Sequence, residues 1–371
     1  MNGQWIGSYA GSSAGSIILN LDDRGTHFEG HAYAFEENNE RPSTYASIIT
    51  PGKGQMLEFE ALILPIDPIS GDLVDWKDIA HLYPGTIFGK KVAIKLEYKN
   101  SVLEFEWRTD IGSNGIATLH KSESDKPTEY SPIAEVQTWD QFKSFVSSLE
   151  YRRFIFRGQE EAKRLRTSFH RTGRADLFFY INNDIPALYR HLSQRTKFIF
   201  NLDIPDQNGA FMNLAQHHGY PTPLLDWSYS PFVSAYFAYK NIKSSHADQA
   251  GDDQKVRIFM FDQKSWRKEY NQLKKLSSWP HFSLLEFIAI ENERMIPQQS
   301  ISSVTNLDDI ETYIRAKEKE KGQQFLKIID LPLKERTRVM RELAVMGITA
   351  GSLFPGLDGA CEEIRERFFR T

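Results

Sequence analysis

The first 120 residues are interrupted, at short and regular intervals, by residues that favour turns, and this spacing leaves room for strands but not for helices. Apolar stretches at Ser16–Leu21, Met56–Leu64, Val92–Tyr98 and Val102–Trp107 are divided by Asp22-Asp23-Arg24-Gly25, Thr50-Pro51-Gly52-Lys53-Gly54, Lys99-Asn100 and Ser113-Asn114-Gly115. Leu96–Leu103 reads as a hairpin, with two apolar arms about a tight polar turn. The opening Gly3-Gln4-Trp5-Ile6-Gly7-Ser8-Tyr9, followed by a hairpin, has the form of a small up-and-down barrel, and a sandwich fits it equally well. Residues 1–120 are therefore expected to form an all-β barrel or sandwich domain. Residues 121–135 form a linker rich in Ser, Lys, Asp and Glu.

From residue 136 to 371 the pattern changes to a mixed α+β domain. Thr138 is a good N-cap, and Gln141 three residues later has capping-box spacing. Phe142, Phe145, Val146 and Leu149 then recur at helical intervals. Tyr151–Phe156 is aromatic and β-branched enough for a strand that ends at Arg157-Gly158. Helices are expected at Ile185–Phe198, Ala210–His218 and Pro231–Asn241, the last with Ser230 as cap and Pro231 in its first turn. Gly219 is placed to end the second of these in a left-handed conformation. Lys255–Phe261 and Ser283–Ile290 read as strands about a helix near Ser265–Leu276. Asp308–Lys319, Leu333–Met346 and Gly359–Phe368 complete the set as helices.

A chain of 371 residues is about twice the usual domain length, in keeping with two domains. No window approaches the apolar run needed to cross a bilayer, and the first residues lack a basic region followed by an apolar one. A single cysteine, Cys361, excludes an intramolecular disulfide and a cysteine-based zinc cluster; it reads as a small packing residue. A cytoplasmic protein with no membrane partner and no metal is the expectation. Residues 1–130 carry 11 Lys+Arg against 19 Asp+Glu, whereas Glu150–Phe200 carries 11 against 5. Such a basic stretch is either a solvated face or a surface for phosphates, of a dinucleotide or of a nucleic acid.

Several residues have chemistry beyond packing. Arg157 at a strand end supplies a permanently charged planar fork suited to pyrophosphate or carboxylate, and Gly158 lets a ligand approach the backbone. The competing reading buries Arg157 in an ion pair with Asp226. Asp226-Trp227-Ser228-Tyr229-Ser230 enters a helix, where Trp227 can stack a flat base and Ser228 or Ser230 can orient it. A core Trp227 and a capping Ser230 are the plainer account. His217 and His218 end a helix; being adjacent they are no metal pair, though one can face a pocket. Glu291 and Glu293, two apart on an extended segment, would share a face.

Phe156-Arg157-Gly158, the loop His217-His218-Gly219-Tyr220-Pro221-Thr222, Leu224-Leu225-Asp226-Trp227, Arg294 to Gln299 and Gly351 to Gly359 together resemble the FRG domain family. The resemblance runs from about Thr138 onward; Ser300-Ile301 stand where the family usually has glycine and an aromatic. In order of motifs the chain is also similar to ADP-ribosyltransferases: aromatic-Arg-Gly, then Ser228-Tyr229-Ser230 before a helix, then Glu291-Asn292-Glu293. That similarity implies NAD as substrate, bound by Arg157, with Ser228 or Ser230 orienting ribose or nicotinamide. Glu293 would stabilise the positive ribose that develops as the bond to nicotinamide breaks, with Glu291 beside it. The expected function is a toxin-like or defence effector that transfers ADP-ribose to a macromolecule or hydrolyses NAD, with a β-domain that binds a regulatory or target partner. The alternatives are a nucleic-acid-binding or nuclease module on the basic stretch, and a non-catalytic recognition module.

Overall fold

The computed structural model describes residues 1–369. Eight antiparallel strands form a closed barrel in simple sequential order: β1 (Gly3–Gly11), β2 (Gly15–Asp23), β3 (Phe28–Glu36), β4 (Thr44–Ile49), β5 (Met56–Pro65), β6 (Lys91–Lys99), β7 (Val102–Thr109) and β8 (Asn114–Lys121). The choice between barrel and sandwich is settled by β1, which pairs with β8 from Trp5↔Lys121 to Gly11↔Gly115. The β6–β7 hairpin turns through Asn100 and Ser101, both at positive φ (51° and 64°), the conformation whose twist matches that of the strands.

Along β5–β8 the side chains alternate cleanly. Ile63, Val92, Ile94, Leu96, Phe105 and Leu119 fill the interior, while Glu58–Lys95 and Glu60–Lys91 ion pairs decorate the outside. Alternation fails on β2, where Ile17 to Asp22 are all buried. The outer wall of β2–β4 is covered by the rest of the chain: Ile18, Phe35 and Tyr45 pack against Leu307, Phe178 and Trp279. A strand buried on both faces cannot show a period of two.

The second domain is a six-stranded sheet in the order β12-β13-β10-β9-β11-β14. Its strands are β9 (Phe154–Gln159), β10 (Leu224–Ser228), β11 (Lys255–Asp262), β12 (Phe282–Leu285), β13 (Ser300–Thr305) and β14 (Leu326–Pro332). The longer helices are α1 (Trp139–Ser147), α2 (Ile185–Leu192), α3 (Pro205–His217), α4 (Pro231–Tyr239), α5 (Ile310–Lys321), α6 (Arg336–Val345) and α7 (Leu357–Phe369). One face of the sheet packs on α1, α4 and α6, and the other on α5 and the short helix Gln263–Glu269. Helix α3 covers β10 through a third cluster around Phe211, Leu214 and Leu224. The capping box at Thr138–Gln141 is complete, Ser230 caps α4, and Gly219 follows α3 at φ 84°. Cys361 is exposed on α7 rather than packed.

Residues 121–135 are strapped to the second domain. Ser124 donates to Asp308 at 2.9 Å, Tyr130 to Glu318 at 2.8 Å, and the Ile133 amide to the Ile328 carbonyl at 2.9 Å. At the barrel–domain junction, Asp22 accepts from Arg174 Nε (2.7 Å) and from the amides of Ala175 (2.8 Å) and Asp176 (3.2 Å). His31 pairs with Asp176 at 2.6 Å beneath Phe178, and Gln4 bridges to Asn306 and Asp308.

Two buried histidines make the fold acid-sensitive. Burial pushes His170 and His281 down to about 4 from the ordinary value of 6.5. Both stay neutral when folded over a range where the unfolded chain takes up protons. Their contribution is complete above pH 6.5 and is lost as pH falls toward 4, at about 1.4 kcal/mol per pH unit per histidine. Thermal melts should therefore show a falling Tm between pH 6.5 and 4.5, and a shallower fall in His281→Gln. An equal pH slope in wild type and variant would remove His281 from the account.

Candidate functional site

Strands β9 and β10 touch at only one register pair, Phe156↔Ser228, whereas β9 and β11 pair along six residues. Beyond that contact β9 and β10 splay, and Arg157 lies at the split. Its guanidinium Nη1 donates to the main-chain carbonyl of Asp226 at 2.6 Å. Its Nε has no hydrogen-bond partner, and neither has Asp226 Oδ1. Burial, with Arg171 nearby, lowers the Arg157 pKa to about 10 against the opposing pull of Asp226. Among the described residues no carboxylate forms an ion pair with Arg157 or Arg171. A cation held in a low-dielectric setting without an ion-pair contact, beside a half-satisfied carboxylate, is costly unless something else completes both.

From Asp226 a polar seam runs between β10, β13 and α3. Gln216 donates to Asp226 Oδ2 at 2.5 Å and accepts from Thr222. Asn213 donates to Ser302 Oγ at 3.1 Å and accepts from Asn292 at 2.6 Å. Asn292 also donates to His217 Nδ1, which leaves the ring proton on Nε2, and Arg294 donates to the His217 carbonyl at 3.2 Å. Asn213, Gln216 and His217 are spaced i, i+3 and i+4, so a single helical face supplies the roof. Buried polar groups in this number are high in energy when incompletely paired and rigid when complete. Sequence reasoning named His217 but missed Asn213, Gln216, Asn292 and Ser302. The signal was there: amides and a histidine recurring at helical intervals beside the apolar Phe211 and Leu214 face of α3.

Other expected site residues take different places. Arg157 and Gly158 lie inside a central strand, paired with Phe259 and Ile258, and not at a sheet edge. Residues 151–153 form a turn, with Arg152 at φ 55°, which delays the strand. A Cβ on Gly158 would sit 1.9 Å from the Ser234 carbonyl, so this glycine admits helix α4 and not a ligand. Trp227 is core, its Nε1 donating to Ser303 Oγ at 3.0 Å. Ser228 donates to the Gln298 carbonyl at 2.7 Å, and Ser230 caps α4. The strand expected over Ser283–Ile290 stops at Leu285. Glu291 and Glu293 follow on an exposed loop, Glu291 at φ 53° accepting from the Phe198 amide.

The basic stretch is partly neutralised. Arg153 pairs with Asp262 (2.7 Å), Arg164 with Asp309 (2.7 Å), Arg166 with Asp308 (2.5 Å), and Arg174 with Asp22 (2.7 Å) and Asp184 (2.5 Å). Arg152 lies 3.8 Å over the Tyr229 ring. Among the described residues no cluster of histidine, cysteine and carboxylates is suited to a metal ion, and no helix is long and apolar enough to cross a membrane.

The architecture is thus a closed barrel docked on a mixed α/β domain whose central strands carry Phe156-Arg157-Gly158. Residues 152–247, from the turn before β9 to just beyond α4, match the family model of the FRG domain, so the chain carries an FRG domain within its second domain. No curated protein and no solved structure matches it.

Proposed function

We propose that the FRG domain takes a dinucleotide of the NAD class at the β9–β10 split and cleaves its ribose–nicotinamide bond. The observation that carries this reading is the pair of open valences at one place: Arg157 Nε, a donor on a cation with no ion-pair contact, and Asp226 Oδ1, an acceptor. Arg157 binds the diphosphate, for which a planar guanidinium fork is well suited. Asp226, braced by Gln216, faces the ribose and stabilises the positive charge that develops when nicotinamide departs with the bonding electron pair. Water, or a nucleophile on an acceptor macromolecule, then closes on the anomeric carbon and gives up its proton. In this reading Glu293 acts from the loop as a secondary carboxylate, and the protein is a cytoplasmic effector restrained or directed by its barrel.

Nicotinamide release from NAD by the purified chain tests it. Arg157→Ala should raise KM by roughly 10- to 100-fold, the equivalent of one charged hydrogen bond. Asp226→Asn should lower kcat by about 100-fold or more while leaving KM within a few-fold. Glu293→Gln should keep most of the turnover. Absence of nicotinamide release by the wild type, with cell extract supplied as acceptor, would overturn the catalytic reading. Saturable ADP-ribose binding under the same conditions would leave the split as a receptor site.

A further inference from the structure

The barrel interior is not completely filled. A cavity of about 160 Å³ opens at the end formed by the last residues of β1, β3 and β7 and the first of β2, β4 and β8. Its walls are apolar over most of their area, with Ala32, Ala46, Ile94, Phe105 and Trp107 among them. The small side chains Ala32, Ala34 and Ala46 on β3 and β4 create the space where larger residues would close it. The rim carries two exposed isoleucines, Ile87 (73 %) and Ile111 (44 %), an apolar lip around a polar patch of the wall.

That polar patch is built. Tyr9 is 7 % exposed, lines the cavity, and its hydroxyl has no hydrogen-bond partner. Glu36, also in the wall, uses Oε1 to accept from Ser13 at 2.9 Å, while Oε2 has none. The two groups are neighbours: Glu36 is the main charge acting on Tyr9 and, with Ser13, lies within hydrogen-bonding influence of its hydroxyl, although neither open atom has a partner at full hydrogen-bond geometry. Burial raises the Glu36 pKa above the ordinary carboxylate value. Arg41 stands exposed in the wall at the mouth. A buried hydroxyl and a buried carboxyl oxygen facing the same empty space are a costly arrangement unless a guest joins them.

We propose that the barrel is a receptor for a small neutral molecule consisting of about one aromatic ring and a hydroxyl group. The size follows from the cavity, since an apolar space of about 150 Å³ holds one benzene ring. The hydroxyl follows from the wall: a single O–H donates to Glu36 Oε2 and accepts from Tyr9, completing both. The ring lies among Phe105, Trp107 and Ile94. A carboxylate in the same place would meet Glu36, and a pure hydrocarbon would leave both polar atoms unpaired. This site is on the far end of the barrel from Asn2, Gln4 and Asp22, which dock the FRG domain, and it is independent of the NAD reading.

The probes are p-cresol, toluene and p-toluate, titrated calorimetrically into the full-length chain. The expected result is saturable 1:1 binding of p-cresol, with toluene about tenfold weaker, the worth of the hydroxyl's hydrogen bonds. Tyr9→Phe should bring p-cresol down to the level of toluene. Ala46→Leu, which fills the cavity with a residue its strand tolerates, should abolish binding of both with an unchanged far-UV spectrum. Should Ala46→Leu fail to fold, Tyr9→Phe decides alone. No saturable binding of either neutral probe would overturn the proposal. Equal affinities for toluene and p-cresol that Tyr9→Phe leaves unaltered would also overturn it, as would tighter binding of p-toluate, which would assign the polar end to Arg41.

Discussion

Gly158→Ala is expected to destabilise the FRG domain by more than about 3 kcal/mol, at or above the upper range for overpacking a core. The added methyl would stand 1.9 Å from the Ser234 carbonyl and 2.8 Å from the Ala238 amide. Both are backbone atoms of α4, so no side-chain rotation relieves the contact; the helix must lift from β9. Phe156 and Tyr236, which close the same layer, would lose packing with it. For a domain of this size the loss corresponds to roughly 6–12 °C in Tm, read by thermal denaturation beside Gln159→Ala, a neighbour whose side chain only reaches the Lys163 carbonyl. A Gly158→Ala protein as stable as wild type but unable to bind ligand would return the glycine to the ligand site. Within the motif, Phe156 packs in the core, Arg157 carries the charge and Gly158 seats the helix.

Asp22→Ala should separate the two domains. The carboxylate is 2 % exposed and satisfies three donors from across the junction, one of them the Arg174 guanidinium. Arg174 is partly exposed and keeps Asp184, so most of the cost falls on the two amides that lose their acceptor, about 1–3 kcal/mol each. The barrel's own hydrogen bonds are untouched. The expected outcome is an early, separate melting transition and faster proteolysis within residues 168–184, while the barrel transition stays in place. One unsplit transition at the wild-type temperature would show that Phe35–Trp279 stacking and the His31–Asp176 pair hold the junction without Asp22.

Where local chemistry decides structure, the sequence was readable. Thr138 and Gln141 form the capping box their spacing calls for, and Asn100-Ser101 turns the hairpin. Barrel closure was not readable, because it depends on β1 meeting β8 from opposite ends of the module. Strands β10 and β13 were missed for another reason. Leu224–Ser228 is too short to show a period, and Ser300–Thr305 turns serines toward Asn213 and Trp227, so a buried strand has the composition of a loop. Glu291 and Glu293 would share a face only on extended backbone. Glu291 at positive φ removes that condition, and it is Asn292 between them that turns inward. Arg157 was expected from its motif either to bind a ligand or to pair with Asp226. Its partner Asp226 looked like an ion pair and is instead a carbonyl contact with the carboxylate left open.

The closing seam of the barrel has a consequence for how the protein comes into being. Because β1 can be sealed only by β8, its outer edge waits unpaired until synthesis has passed Lys121. From then on the barrel can finish before the sheet of the second domain is complete, since a chain emerging from the ribosome tends to fold domain by domain in order of synthesis. Asp22, His31 and Gln4 are then a completed platform on which Gly173–Asp176 and Asn306–Asp308 later settle. Dilution from denaturant abolishes this schedule. All fourteen strands then search at once, and the waiting edge of β1 competes with the sheet's own edges, β12 and β14. Refolding yield should therefore fall below the yield from synthesis, and a barrel supplied already folded should restore it.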